Sequence, residues 1–148
     1  MLVAYDGTEG AEAALDAAAR FAAAPGARLT VLRVLNPRTD AHQVVADTTQ
    51  EALAQVEAAA RSRIDDRLAA LDRAAEVREE IQRRGEDSAA CIARVAREEA
   101  VDVVAIGSRR AGGLFGALLG SVTSAVISHS PCPVLVVRPD QPAQPPPA

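Results

Sequence analysis

Between Gly107 and Thr123 the chain reads Gly107-Ser108-Arg109-Arg110-Ala111-Gly112-Gly113-Leu114-Phe115-Gly116-Ala117-Leu118-Leu119-Gly120-Ser121-Val122-Thr123. Glycines and hydroxyl residues there bracket two arginines, and these are the residue types that bind anions. A helix opening at Gly120-Ser121 leaves its first amide groups without intrahelical partners, and the positive end of the helix dipole adds to them. Ser121 and Thr123 bring hydroxyl donors, while Arg109 and Arg110 bring the only formal charges of the run. Gly107, closing an apolar stretch, lets the backbone turn sharply and a ligand approach closely. Near the other end of the chain, Asp6 follows a short apolar run and precedes Gly7-Thr8. A carboxylate there accepts from ligand hydroxyls, holds a divalent cation through water, or simply braces its own turn.

Other chemistries are excluded by composition. All sixteen basic residues are arginine, so there is no P-loop lysine, Schiff-base lysine or Ser-Lys pair. Carboxylate pairs, a Ser-His-Asp order and a metal-ligand cluster are all missing from the pattern. His42 and His129 have no partner motif and read as structural or exposed residues. A net charge of −4 gives no basic field for nucleic acid or an anionic membrane surface. No stretch reaches the ~20 apolar residues of a membrane span. The opening Met1-Leu2-Val3-Ala4-Tyr5-Asp6 is too short and too soon acidic for a signal peptide, so a cytoplasmic protein is expected. Cys91 and Cys132 lie far apart, and both are expected to be buried thiols rather than a disulfide.

The elements that must position these residues alternate along the 148-residue chain. Leu2–Tyr5 reads as a first strand, with Thr8 capping a helix whose inward stripe is Ala11, Ala14, Leu15, Ala18, Phe21 and Ala22. Leu29–Leu35 is a second strand. A long helix over about 43–73 follows, with Leu53, Val56, Ala60, Ile64, Leu68 and Leu71 facing inward. Glu76–Gln82 is a strand so charged that it belongs at a sheet edge. Asp87 or Ser88 caps a third helix, which buries Ile92, Val95 and Ala96. Val101–Ile106 is the fourth strand, a fourth helix opens near Ser121, and Pro133–Val137 is the fifth strand. Residues 1–138 thus predict an α/β domain, a doubly wound parallel five-stranded sheet of order 3-2-1-4-5 with helices on both faces. Residues 139–148 read as a disordered proline-rich tail. Ligands of such sheets bind where the winding reverses, here between the strand ends at Tyr5 and Ile106, so Asp6 and Gly107 are expected to flank one crevice. The core must be assembled from Val, Leu, Ile and Ala, because the chain has only two Phe, one Tyr and no Trp.

The Gly107–Thr123 segment resembles the nucleotide loop of the universal stress protein family, whose ATP-binding members carry G-x2-G-x9-G-(S/T). Gly107 matches the first glycine, and nine residues separate Arg110 from Gly120-Ser121. The opening Leu2-Val3-Ala4-Tyr5-Asp6-Gly7-Thr8-Glu9 is similar to the family's first strand and acidic turn. The closing Pro131-Cys132-Pro133-Val134-Leu135-Val136-Val137-Arg138 is similar to its last strand. One position departs from the pattern: Arg110 stands where the second glycine belongs. If that position needs positive φ, an arginine there costs about 1–3 kcal/mol. If it needs only close approach, the side chain either blocks the ligand or swings out to pair with phosphate.

The resemblance implies an ATP-binding protein of stress response or signalling, with magnesium accompanying the nucleotide. Asp6 would sit beside the adenosine, Val34 would offer backbone contacts to adenine, and Gly107 would lie under the ribose and phosphates. Gly120, Ser121, Val122 and Thr123 would surround the phosphates, with Arg109 and Arg110 nearby. With no placed general base, ATP hydrolysis is expected to be slow at most. The resemblance also implies a homodimer, and the apolar edge strand Val134–Val137 suits antiparallel pairing with a second copy. The alternative is a member of the same fold that binds no nucleotide and acts through its dimer surface. An ATP pyrophosphatase would want a Ser-Gly-rich loop after the first strand, and a flavin carrier would want aromatic residues beyond Tyr5, Phe21 and Phe115.

Overall fold

The computed structural model describes residues 1–22, 26–35, 50–72, 74–108 and 119–139. Within them the chain forms, in order, β1 (Leu2–Ala4), α1 (Glu9–Phe21), β2 (Thr30–Leu35), α2 (Gln50–Ala70), β3 (Glu76–Ile81), α3 (Ser88–Glu98), β4 (Val104–Gly107), α4 (Ser121–His129) and β5 (Val134–Val137). The strands pair in parallel in the order β3-β2-β1-β4-β5, as the alternating pattern predicts. Central β1 sets the register: Val3 lies opposite Val31 on one side and Ala105 on the other.

Successive strand residues point to opposite faces, and each face has its own core. Val3, Val31 and Ala105 pack with Leu15 of α1 and with Ile64 and Leu68 of α2. Leu2, Leu32 and Val104 pack with Ile92 and Val95 of α3 and with Val126 of α4. β1, β4 and the first half of β2 are buried on both faces, so they read as continuous apolar runs rather than alternating ones. Each fully buried Val or Leu contributes about 1.5–3 kcal/mol. On α1 the inward residues are mostly alanine, and their small side chains let the helix axis lie close to the sheet.

Four local expectations are corrected. Phe21 is 68% exposed instead of facing inward: it lies within about 20° of buried Ala14 around the helix, but it is the last residue of α1. The long helix ends at Ala70 rather than 73, where Asp72 takes a left-handed φ of 50° and breaks the helical path. Its expected start at 43, and the tail from 140 onward, lie outside the described residues. The fourth strand begins at Val104, since Ala100 turns the chain out of α3 at φ 48° and Val101 still donates to the Ala96 carbonyl. Cys91 is buried but Cys132 only partly so. The charged strand does lie at an edge, as β3. Its side chains engage α3 across the crossover: Arg94 bonds Glu86 (2.9 Å) and approaches Glu80 (3.2 Å), while Arg78 bonds Glu80 (3.0 Å) and Glu99.

Candidate functional site

The switch point of the winding lies between β1 and β4, and the turns leaving both strands are built from short-range chemistry. After β1, Gly7 adopts φ +80°, a left-handed conformation that suits glycine. This folds Thr8 back so that its amide (3.1 Å) and its hydroxyl (2.7 Å) both donate to Asp6 Oδ1. The Thr8 hydroxyl oxygen in turn accepts from the Ala11 amide at 3.3 Å, capping α1. The Asp6 carboxylate is therefore oriented by its own turn and remains exposed. Its second oxygen has no hydrogen-bond partner among the described residues.

Gly107 is the last residue of β4, paired with Val137 of β5, and does not make a turn. Its glycine identity has a different cause from the sharp turn expected of it. A Cβ on Gly107 would overlap the carbonyl group of Gly10, and a Cβ on Gly10 would stand 2.6 Å from the Ser108 carbonyl oxygen. The first turn of α1 thus rests directly on the end of β4. The Gly107 carbonyl accepts from the Thr123 hydroxyl at 3.1 Å. Thr123 is 4% exposed, so its one hydroxyl proton fastens the first turn of α4 to the sheet. Gly120 is the N-cap of α4 and supplies no side-chain acceptor. The first intrahelical bond runs from the Ser124 amide to the Gly120 carbonyl (2.9 Å), which leaves the amides of Ser121, Val122 and Thr123 without intrahelical partners.

These turns enclose a cleft of about 140 Å³ at the carboxyl ends of the strands. Leu32, Val34, Ile92 and Ile106 form an apolar half, and Gly120 to Thr123 form a donor-rich half. Among the described residues, Asp6 is the one formally charged side chain on the wall. Tyr5 lies in the floor with its hydroxyl donating to Glu12 of α1, which also faces Arg63 (3.8 Å) and Arg67 (4.0 Å) of α2. Burial and the Glu12 carboxylate push the Tyr5 phenol up to about 12, so it stays neutral at physiological pH.

Seven residues singled out by sequence, Asp6, Val34, Gly107, Gly120, Ser121, Val122 and Thr123, line this one cleft. Arg109 and Arg110 lie outside the described residues. Sequence reasoning missed the α3 wall, Ser88 and Ile92, which the crossover from β3 carries back over the sheet. The signal available was topological: α3 has to pack beside α4, which brings its first turn to the same end of the sheet.

The chain matches the model of the universal stress protein family over residues 1–138. It is 32% identical over 139 residues to the Thermus aquaticus universal stress protein in the QAH/OAS sulfhydrylase 3′ region, covering 93% of this chain and 97% of that one. Among solved structures, the hypothetical protein MJ0577 superposes with a TM-score of 0.67 at 26% identity, covering 95% of this chain and 96% of the other. The universal stress protein of Archaeoglobus fulgidus in complex with dAMP superposes with a TM-score of 0.58 at 25% identity, covering 92% and 94%. The family model spans both turns of the cleft and the strands that carry them, so fold, motif order and sequence agree: the chain belongs to the universal stress protein family.

Proposed function

We propose that this protein binds an adenine nucleotide in the cleft between β1 and β4 and acts in the cytoplasm in stress response or signalling. The observation that carries the reading is the two-sided character of the cleft. An apolar half formed by Leu32, Val34 and Ile92 faces a half formed by the uncapped first turn of α4. A nucleotide has the matching two parts, a flat base and an anionic tail, and helix N-termini favour phosphate. Asp6, preset by Thr8, stands where a ribose hydroxyl would donate to it, or where magnesium carried by the phosphates would meet it through water. The dAMP held by the Archaeoglobus fulgidus relative supports the adenine class. ATP is the fuller ligand that the loop motif implies, with Arg109 and Arg110 close to its phosphates. Any hydrolysis of the bound nucleotide is slow in this reading, which is that of a binding protein.

Isothermal titration with ATP and magnesium, run beside an Arg110→Gly variant, tests this. Micromolar binding by the unaltered protein is the expected result. Binding by the variant alone would make Arg110 the obstacle, and silence from both would sink the nucleotide site. A second reading, a scaffold without nucleotide, has one observation in its favour. Gly107 and the Thr123 hydroxyl already have packing roles that need no ligand. In either reading we propose a homodimer formed through β5, an edge strand whose four residues carry no charge and are all half-exposed.

A further inference from the structure

We infer that Ser88, held by Gln82, is a specificity-determining donor: its hydroxyl reads an unprotonated ring nitrogen on the ligand's base. The inference rests on the nucleotide reading of the cleft and names a residue that selects among bases. Ser88 is the first residue of α3 and borders the apolar half of the cleft beside Val34 and Ile92. It is not the cap of its helix, because Asp87 Oδ1 takes the Ala90 amide at 2.8 Å. Ser88 Oγ instead accepts from Gln82 Nε2 at 2.7 Å.

A hydroxyl has one proton and two lone pairs. Gln82 occupies a lone pair, which leaves the proton to be directed elsewhere, and among the described residues it has no acceptor. Gln82 thereby turns Ser88 into a donor facing a wall otherwise made of Leu, Val and Ile. A single donor in an apolar slot discriminates well, because a ligand lacking the acceptor leaves it unpaired. A flat heterocycle with a basic ring nitrogen meets both demands, and a purine has several such nitrogens.

The test compares AMP with its 1-deaza, 3-deaza and 7-deaza analogues on the unaltered protein and on Ser88→Ala. One analogue is expected to bind the unaltered protein about three- to tenfold more weakly than AMP, the effect of one neutral hydrogen bond. Ser88→Ala should lose the same factor toward AMP and no longer distinguish that analogue. Gln82→Glu, whose carboxylate accepts the Ser88 proton, should reproduce the loss with neutral adenosine as probe. Unchanged AMP affinity in Ser88→Ala, or survival of every deaza penalty after the substitution, would overturn the inference alone. Failure of the folded, unaltered protein to bind any of these probes would overturn the nucleotide reading and this inference together.

Discussion

Gly10 and Gly107 meet backbone to backbone: a side-chain carbon on Gly107 would occupy the space of the Gly10 carbonyl. This contact seats the first turn of α1 on the end of β4, beside the cleft that Asp6 and Ser108 line. Both neighbours are main chain, so neither can swing aside as a flexible side chain would.

Gly107→Ala and Gly10→Ala are each expected to destabilise the fold by about 1–3 kcal/mol through overpacking. Because each substitution forces the same separation of α1 from β4, the double variant should lose less than the sum of the singles. Chemical denaturation of the four proteins measures this. Strict additivity would mean that the two glycines act independently.

That contact also marks what sequence can and cannot reveal. Gly107 stood out for its place in a loop motif, but its partner ninety-seven positions earlier carried no local signal. Strand order followed from the alternation of apolar runs with helical stripes, since right-handed crossovers leave few arrangements. The Thr8 cap followed from residue type alone. Phe21 was misplaced because a stripe of alanines is so permissive that any apolar residue at a spacing of three seems to extend it. Ser88 was legible only as a possible cap, since its bond to Gln82 depends on where β3 ends. Thr123 was expected to offer its hydroxyl outward, and only the fold reveals that the Gly107 carbonyl takes it.

Tyr5 is the only tyrosine and there is no tryptophan, so its ultraviolet absorbance reports on the cleft floor alone. The phenol should titrate at about 12 in the folded protein and near 10 once unfolded. The raised value means the neutral phenol is favoured on folding. Its contribution is fully present below pH ~10 and is lost as pH rises from there through the folded value. Tyr5→Phe should remove this alkaline sensitivity and cost about 1 kcal/mol at neutral pH. Phenolate appearing near pH ~10 in the native protein would rule out the Glu12 bond.

The ion pairs of β3, α3 and the turn between them make the opposite prediction at acid pH. Hydrogen bonds from Arg94 hold the Glu86 carboxyl below its usual value, and those from Arg78 do the same for Glu80. Their stabilisation is complete above the unfolded carboxyl value of about 4.3 and disappears as pH falls through the lower folded values. Melting temperature should therefore be level from neutral pH to about pH 5 and decline below it. Arg94→Met keeps the aliphatic stem but removes the partner of Glu86, so its decline in acid should be shallower. Equal acid slopes in the two proteins would show that the network contributes nothing at low pH.

The two sheet edges differ in how they meet solvent. β3 presents a row of charges, several of them paired, whereas β5 presents Val134, Leu135, Val136 and Val137 with none. The carbonyls of Pro133 and Val137 accept from the amides of Val104 (3.0 Å) and Ser108 (2.8 Å). By the two-residue period of a strand, the amides of Val134 and Val136 then point to the open edge. An uncharged edge with free donors is a template for a second strand, and pairing about a two-fold axis satisfies both copies at once. Ile127 of α4, 45% exposed, is a further apolar side chain at the surface. Sedimentation equilibrium should accordingly give a dimer. Val136→Pro removes an outward amide while leaving the β4 ladder intact, and should shift the protein to monomer with circular dichroism unchanged. Val134 is half-exposed beside the core of α3 and α4, so Val134→Lys brings a charge next to the same edge and should weaken the dimer, with circular dichroism checking that the fold is retained. A monomeric unaltered protein would remove β5 as the contact, and a dimer that survives both variants would place the interface elsewhere on the surface.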